Sequence, residues 1–146
     1  MKARAAAALR ELVLEVFRLN GALLRHGAML TVPVGQTQAR WQVIGAVGER
    51  ARTVPQIARQ MGMTRQGVQR VVDLLAQDGL LAFKRNPNHA RSPLVRLTET
   101  GRQLATQRTQ IGARWSESVS RGMGPVDLEQ TVEVIRRVVD RLDATT

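Results

Sequence analysis

Residues 53–75 run Thr53-Val54-Pro55-Gln56-Ile57-Ala58-Arg59-Gln60-Met61-Gly62-Met63-Thr64-Arg65-Gln66-Gly67-Val68-Gln69-Arg70-Val71-Val72-Asp73-Leu74-Leu75. Thr53 can cap a short helix, and Pro55 is tolerated in its first turn, where no intrahelical N–H is needed. Ile57, Ala58 and Met61 share its inward side, and Gly62 stops it. Thr64 caps the next helix, in which Val68, Val71, Val72 and Leu75 form an i, i+3, i+4, i+7 stripe ending at Gly79. A short helix, a tight glycine turn and a second amphipathic helix make a helix-turn-helix. Ala58 is small enough for close helix crossing, and Val68 fills the angle between the two helices.

After Gly79 the period changes. Leu80–Arg85 and Leu94–Leu97 are short and strand-like, and Asn86-Pro87-Asn88-His89-Ala90-Arg91-Ser92-Pro93 between them is rich in turn residues. This pattern predicts a β-hairpin, and a helix-turn-helix followed by a basic hairpin is a winged helix. Upstream, residues 3–29 read as one helix about 40 Å long, with Leu9, Leu12, Val13, Val16, Leu19, Leu23 and Leu24 at spacings of three and four. Pro33 and Gly35 break it, and Thr37 caps a helix over about 38–49. Downstream, Thr98 caps a helix reaching about Gly122. Asp127 with Gln130 resembles a capping box that opens the last helix. On that helix Leu128, Val132, Ile135, Val139 and Leu142 are spaced 4-3-4-3, the seam of helices packed at shallow angles. The expected order is α-α-α-α-β-β-α-α.

The charge is lopsided. Twenty-two Lys and Arg face 12 Asp and Glu, a formal net charge of +10. Residues 1–51 carry net +4, residues 52–102 net +6, and residues 103–146 are neutral. Twenty of the basic residues are Arg, whose planar fork matches phosphate oxygens two at a time, although GC-rich coding also favours Arg. A basic middle beside a neutral end suggests one face for nucleic acid and another for protein.

Several chemistries find no support. The chain has no Cys, which excludes disulfides, thiolate catalysis and Cys-ligated zinc. Its two histidines, His26 and His89, are too few for a His-rich metal site. No acid lies between Glu15 and Glu49, between Glu49 and Asp73, or between Asp78 and Glu99, so a catalytic carboxylate pair has no suggestive spacing. No P-loop is present, and Gly122-Met123-Gly124 reads as a helix break. Ala5–Leu9 is cut off by Arg10 and Glu11, short of a signal peptide's apolar run, and no stretch matches a membrane span. The expectation is a cytoplasmic, non-enzymatic protein with no cofactor, no metal and no membrane partner.

Residues 37–104 resemble the MarR (multiple antibiotic resistance regulator) family of bacterial transcription factors. The resemblance is carried by Trp41-Gln42-Val43-Ile44, by Ile57-Ala58-Arg59-Gln60-Met61-Gly62, and by Val71-Val72-Asp73-Leu74-Leu75 with Asp78-Gly79-Leu80. The run from Arg91-Ser92-Pro93-Leu94 to Val95-Arg96-Leu97-Thr98-Glu99-Thr100-Gly101 is the most specific part. The match covers nearly the whole chain in layout and about half of it in motif. It implies a mainly α fold with a small β-hairpin wing, in which a winged helix-turn-helix core is flanked by N- and C-terminal dimerisation helices. Residues 1–36 would be the N-terminal dimerisation helix and linker, 37–100 the DNA-binding domain, and 101–146 the C-terminal dimerisation helices. It also implies a triangular homodimer. The family usually has an Asp two residues before the wing arginine. His89 stands there, and Asn86 replaces another commonly acidic position.

On the recognition helix the outward residues of the first turns are Thr64, Arg65, Gln66, Gln69 and Arg70. Arg can grip guanine and Gln adenine at two points, so this set can read base edges in a major groove. A solvated polar face is the bland alternative. Arg85, Asn88, His89 and Arg91 are the expected wing contacts to double-stranded DNA. A second set, Arg25, His26, Arg40, Trp41 and Trp115, could take a small anionic or aromatic effector, though packing is the plainer reading for both tryptophans. The expected function is a dimeric, sequence-specific regulator, a repressor reading a pseudopalindromic operator. The alternatives are a non-sequence-specific basic nucleic-acid binder and a winged-helix protein-interaction adaptor.

Overall fold

The computed structural model describes residues 1–48 and 50–145. Helix α1 (Lys2–Thr31) leads through a 3-10 turn, Val32–Val34, to α2 (Gln38–Val47). Strand β1 (Arg52–Thr53) precedes α3 (Val54–Met61) and α4 (Arg65–Gln77). Strands β2 (Leu81–Lys84) and β3 (Leu94–Leu97) follow, then α5 (Glu99–Val119) and α6 (Pro125–Asp143). The chain divides into two compact units, Met1–Thr109 and Gln110–Thr146, with the division inside α5. Among the described residues no helix is long and apolar enough to cross a membrane.

Local chemistry sets the element ends. The Thr37 hydroxyl accepts from Arg40 N at 3.3 Å and starts α2. At α3, Thr53 and Gln56 form a reciprocal capping box, with Gln56 N donating to Thr53 Oγ1 at 3.3 Å and Thr53 N to Gln56 Oε1 at 2.9 Å. Both of these orphan donors are thereby satisfied. Gly62 ends α3 at φ 61°, a left-handed conformation that suits a residue without a Cβ. The Thr64 hydroxyl accepts from Gly67 N at 3.1 Å and starts α4.

The core of the first unit is aliphatic. Val43, Ile44 and Val47 of α2 meet Ile57 and Ala58 of α3, Val68, Val72 and Leu75 of α4, and Val95 and Leu97 of β3. Val68 and Ala58 are both buried where the two helices meet, as their sizes predict. Each large aliphatic side chain buried this way contributes about 1.5–3 kcal/mol, which fixes the angle at which α4 leaves α3.

Three expectations need correction. The sheet has three strands, not two, in the order β1-β3-β2, all antiparallel. Arg52 pairs with Val95 and Thr53 with Leu94; a two-residue strand is too short to leave a period in sequence. The capping box at Asp127 does not form. Helix α6 begins two residues earlier, at Pro125, with Gly124 as a cap that offers no side-chain bond. Proline's fixed φ favours that first helical position, and Asp127 falls inside the first turn, where its carboxylate complements the helix dipole. Finally, α5 stops at Val119 rather than Gly122. Ser120 N still bonds Ser116 O at 2.9 Å, but Gly122 adopts φ 81° and turns the chain.

Two glycines sit at close approaches of different strictness, and only the one at Gly101 meets backbone. A Cβ on Gly45 would lie 2.3 Å from Arg108 Cζ, because the α5 guanidinium crosses α2 there and its Nε donates to Trp41 O at 3.0 Å. Partial burial lowers the pKa of Arg108 by desolvation. A Cβ on Gly101 would lie 2.0 Å from the Leu80 carbonyl oxygen. The first contact is with a flexible side chain, the second with backbone. Gly101→Ala should therefore destabilise the fold by about 3 kcal/mol, read as a lower urea midpoint. Gly112→Ala, where an added Cβ meets nothing within 4 Å, should be neutral or mildly stabilising. Equal midpoints for Gly101→Ala and wild type would contradict the packing described at Leu80.

Candidate nucleic-acid interface

Helix α4 directs its buried stripe inward and leaves Thr64, Arg65, Gln66, Gln69 and Arg70 exposed. Thr64 is committed as the N-cap. Arg65, Gln66 and Gln69 line a cleft of about 380 Å³ together with Val54 and Pro55 of α3 and Arg91, Ser92 and Pro93 of the wing. The fold thus brings three expected recognition residues and one expected wing residue, 22 positions or more apart in sequence, to a single concave surface. Arg70, Arg85, Asn88 and His89 are exposed but do not line it.

The wing loop is organised by Asn86. Its Oδ1 accepts from Asn88 N at 3.0 Å, and its Nδ2 donates to Ser92 O at 2.9 Å. The backbone adds His89 N to Asn86 O at 3.4 Å and Ser92 N to His89 O at 3.1 Å. One side chain therefore closes the loop across its base and sets where Arg91 emerges. Among the described residues, no side-chain hydrogen bond or ion pair holds Arg91, and His89 does not serve as its partner. Asn86 was not among the expected site residues. Its signal was Asn-Pro-Asn, since asparagine side chains bond their own backbone two residues on.

Behind the wing lies a second, larger basic cleft of about 520 Å³. Arg50, Lys84, Arg96 and Arg102 border it, over a floor that includes Leu97 and Ala105. Arg102 is partly neutralised by Glu99, 2.5 Å away. These four cations are scattered in sequence, and only the antiparallel pairing of β2 with β3 and the exit of α5 gather them.

The residues expected to take an effector are placed as follows. Arg25 and His26 are exposed on α1. Arg40 forms an ion pair with Asp78 and donates through Nε to Gln36 Oε1 at 3.1 Å, tying the start of α2 to the end of α4. Trp41 is buried, 8% exposed. Trp115 belongs to the second unit, where its indole Nε1 is buried without a hydrogen-bond partner. Among the described residues no group of three or more His, Asp or Glu could hold a metal ion.

A family model for the MarR family matches residues 35–92, the segment from the turn before α2 into the wing. The chain belongs to the MarR family of transcriptional regulators. A relative in sequence, the uncharacterized protein Rv2011c of Mycobacterium tuberculosis, is 42% identical over 133 residues, covering 91% of this chain and 93% of its own. Solved MarR-family structures share the fold at low identity. The MarR/EmrR family transcriptional regulator from Acinetobacter sp. ADP1 superposes with a TM-score of 0.82 at 16% identity, over 92% of this chain and 96% of that one. CouR from Rhodococcus jostii RHA1, bound to p-coumaroyl-CoA, gives 0.78 at 19% identity, over 87% and 90%. The transcriptional repressor CouR bound to a 23-mer DNA duplex gives 0.74 at 22% identity, over 90% and 94%. The winged-helix fold of this MarR-family chain is therefore shared well beyond its sequence relatives.

The Asn86 clasp makes a separate prediction. Asn86→Ala should leave helix content unchanged and expose the Asn88 amide, seen as faster hydrogen exchange there than in wild type. Losing two hydrogen bonds at a half-buried site should cost about 1–2 kcal/mol locally. Unchanged exchange at Asn88 would show that the turn closes without the side chain.

Proposed function

We propose that this MarR-family protein is a homodimeric, sequence-specific DNA-binding repressor that reads a pseudopalindromic operator. The observation that carries the reading is the cleft shared by Arg65, Gln66 and Gln69 of α4 and Arg91 of the wing. Side chains able to grip base edges and a cation suited to a phosphate or a narrow minor groove thus sit on one surface. In this reading residues 37–100 form the DNA-binding domain. Arg65, Gln66 and Gln69 read bases, Thr64 starts the helix that carries them, and Arg70, Arg85, Asn88, His89 and Arg91 contact the backbone or minor groove. The cations of the larger cleft extend the basic surface for flanking phosphates.

Dimerisation is assigned to residues 1–36 and 101–146. Helix α1 buries only Thr31, leaving Leu9, Val13, Leu14, Phe17, Leu19 and Leu24 exposed, Phe17 at 69%. Helix α6 has no buried residue, and Val132, Val139 and Leu142 of its 4-3-4-3 seam are exposed. Two long uncovered apolar stripes exceed what a soluble monomer ordinarily presents, and a second copy of the chain would cover both. Repression and release by a small anionic or aromatic effector are supported by the likeness to CouR, described as a repressor on DNA and as a complex with p-coumaroyl-CoA. For such an effector the exposed Arg25 and His26 of the first unit offer polar contacts, whereas Trp41 is buried and would have to be uncovered, and Arg40 would first have to leave Asp78; Trp115, in the second unit, is an aromatic candidate taken by itself.

Sedimentation at micromolar concentration should give a dimer for the wild type. Ile135→Asp should give monomer or insoluble protein, since an unpaired buried carboxylate costs several kcal/mol. A stable wild-type monomer would defeat the dimer reading. On DNA, half-sites should lie about one helical turn, roughly 10 bp, apart. Arg91→Ala should weaken operator and scrambled duplexes alike and flatten the log K against log salt slope by about two units, one per subunit. Gln66→Ala should instead relax preference at one position of each half-site, by about 1–3 kcal/mol. An Arg91→Ala protein with wild-type affinity and salt slope would remove the wing from the interface.

A further inference from the structure

On the exposed face of α4, Gln69 Nε2 donates to Asp73 Oδ1 at 2.8 Å, one helical turn further on. An ionised carboxylate has only acceptors. The pair is therefore polar in one sense only: the amide nitrogen of Gln69 must face Asp73, and its Oε1 must face away. A neutral partner would allow the amide to turn over. Asp73 is the one acid on α4, on an otherwise basic and neutral helix ending at Gln77. Its charge opposes DNA binding in general, so a role in discrimination gives it a function that simple affinity does not.

We propose that Asp73 is a positioning residue that fixes the orientation of the Gln69 amide and thereby sets which base Gln69 reads. The inference rests on the reading of α4 as the recognition helix. With one N–H held by Asp73, Gln69 presents Oε1 beside its remaining N–H. That pair matches adenine, which offers an N6 donor next to an N7 acceptor. Guanine offers two acceptors, O6 and N7, and would set its O6 against Oε1. A freely turning Gln69 could meet guanine by offering its nitrogen to those acceptors. Asp73 removes that option, so it acts by excluding guanine and makes no base contact of its own.

The test uses the full-length protein and a random-sequence duplex library, from which bound duplexes are recovered with wild type, Asp73→Asn and Gln69→Ala. Asp73→Asn keeps size and helix but supplies both a donor and an acceptor, so the Gln69 amide can turn over. At the base pair that Gln69→Ala identifies, the preference for adenine over guanine should fall about tenfold in Asp73→Asn. Preferences at the other positions should stay as in wild type. A purely electrostatic role for Asp73 would raise affinity for operator and scrambled duplexes together and leave that ratio unchanged. Asp73→Glu, which retains an acceptor-only partner within reach, should restore the preference. Loss of preference in Gln69→Ala with none in Asp73→Asn overturns the positioning role while leaving the recognition helix intact. No change at any position in Gln69→Ala overturns the assignment of Gln69 as a reader, and the inference with it. Matched thermal midpoints exclude a folding effect, since both side chains are exposed.

Discussion

The carbonyl end of Leu80 is where the architecture is tied together. Leu80 O accepts from Thr98 N at 3.1 Å, joining the start of the hairpin to its end. The Thr98 hydroxyl donates to Gly79 O at 2.6 Å and accepts from Gly101 N at 3.1 Å, so it also caps α5. Gly101 is buried against the same carbonyl, with no room for a Cβ. The end of α4, both strands and the first turn of α5 therefore meet within a few atoms. Moving any of them would leave a buried polar group unpaired, at about 1–3 kcal/mol each.

That junction has a consequence for the cleft between α4 and the wing. Helix α4 is held at its start by Thr64 and at its end by the turn into Leu80. The hairpin springs from the same turn, so the distance between the outward face of α4 and the wing is set by rigid elements. Only the wing loop beyond Lys84 is free of the core, and there Asn86 takes over with two hydrogen bonds of its own. Arg65 and Arg91 can then be long and exposed, because the backbone that carries them is fixed.

The helix-turn-helix was legible because each of its parts has a local cause. Thr53, Thr64 and Gly62 act within one turn of themselves, and the spacing of Val68, Val72 and Leu75 follows from 3.6 residues per turn. The base-reading candidates were legible for the same reason, since the outward face is whatever the inward stripe leaves over. The third strand was not legible, because Arg52 and Thr53 are extended only by pairing with Val95 and Leu94. The start of α6 was misplaced because Asp127 and Gln130 carry a capping pattern that Pro125, two residues earlier, overrides.

Residue chemistry and spacing alone determined the helix order, the glycine turn, the basic middle and the family resemblance, all of which depend on interactions between near neighbours in sequence. Which cations come together was decided only in three dimensions. Arg91 joins Gln66, and Lys84 joins Arg102, through strand pairing and the turn into α5, and no local pattern encodes such distances. The same holds for Arg40, whose partner Asp78 lies 38 positions away, and for Arg108, which crosses α2 at Gly45. A charged side chain is drawn in sequence as a solvated one. Only the folded chain shows whether an acid, a carbonyl or open water lies opposite it, because electrostatic and hydrogen-bond energies depend on distances of a few ångströms that separation along the chain does not determine.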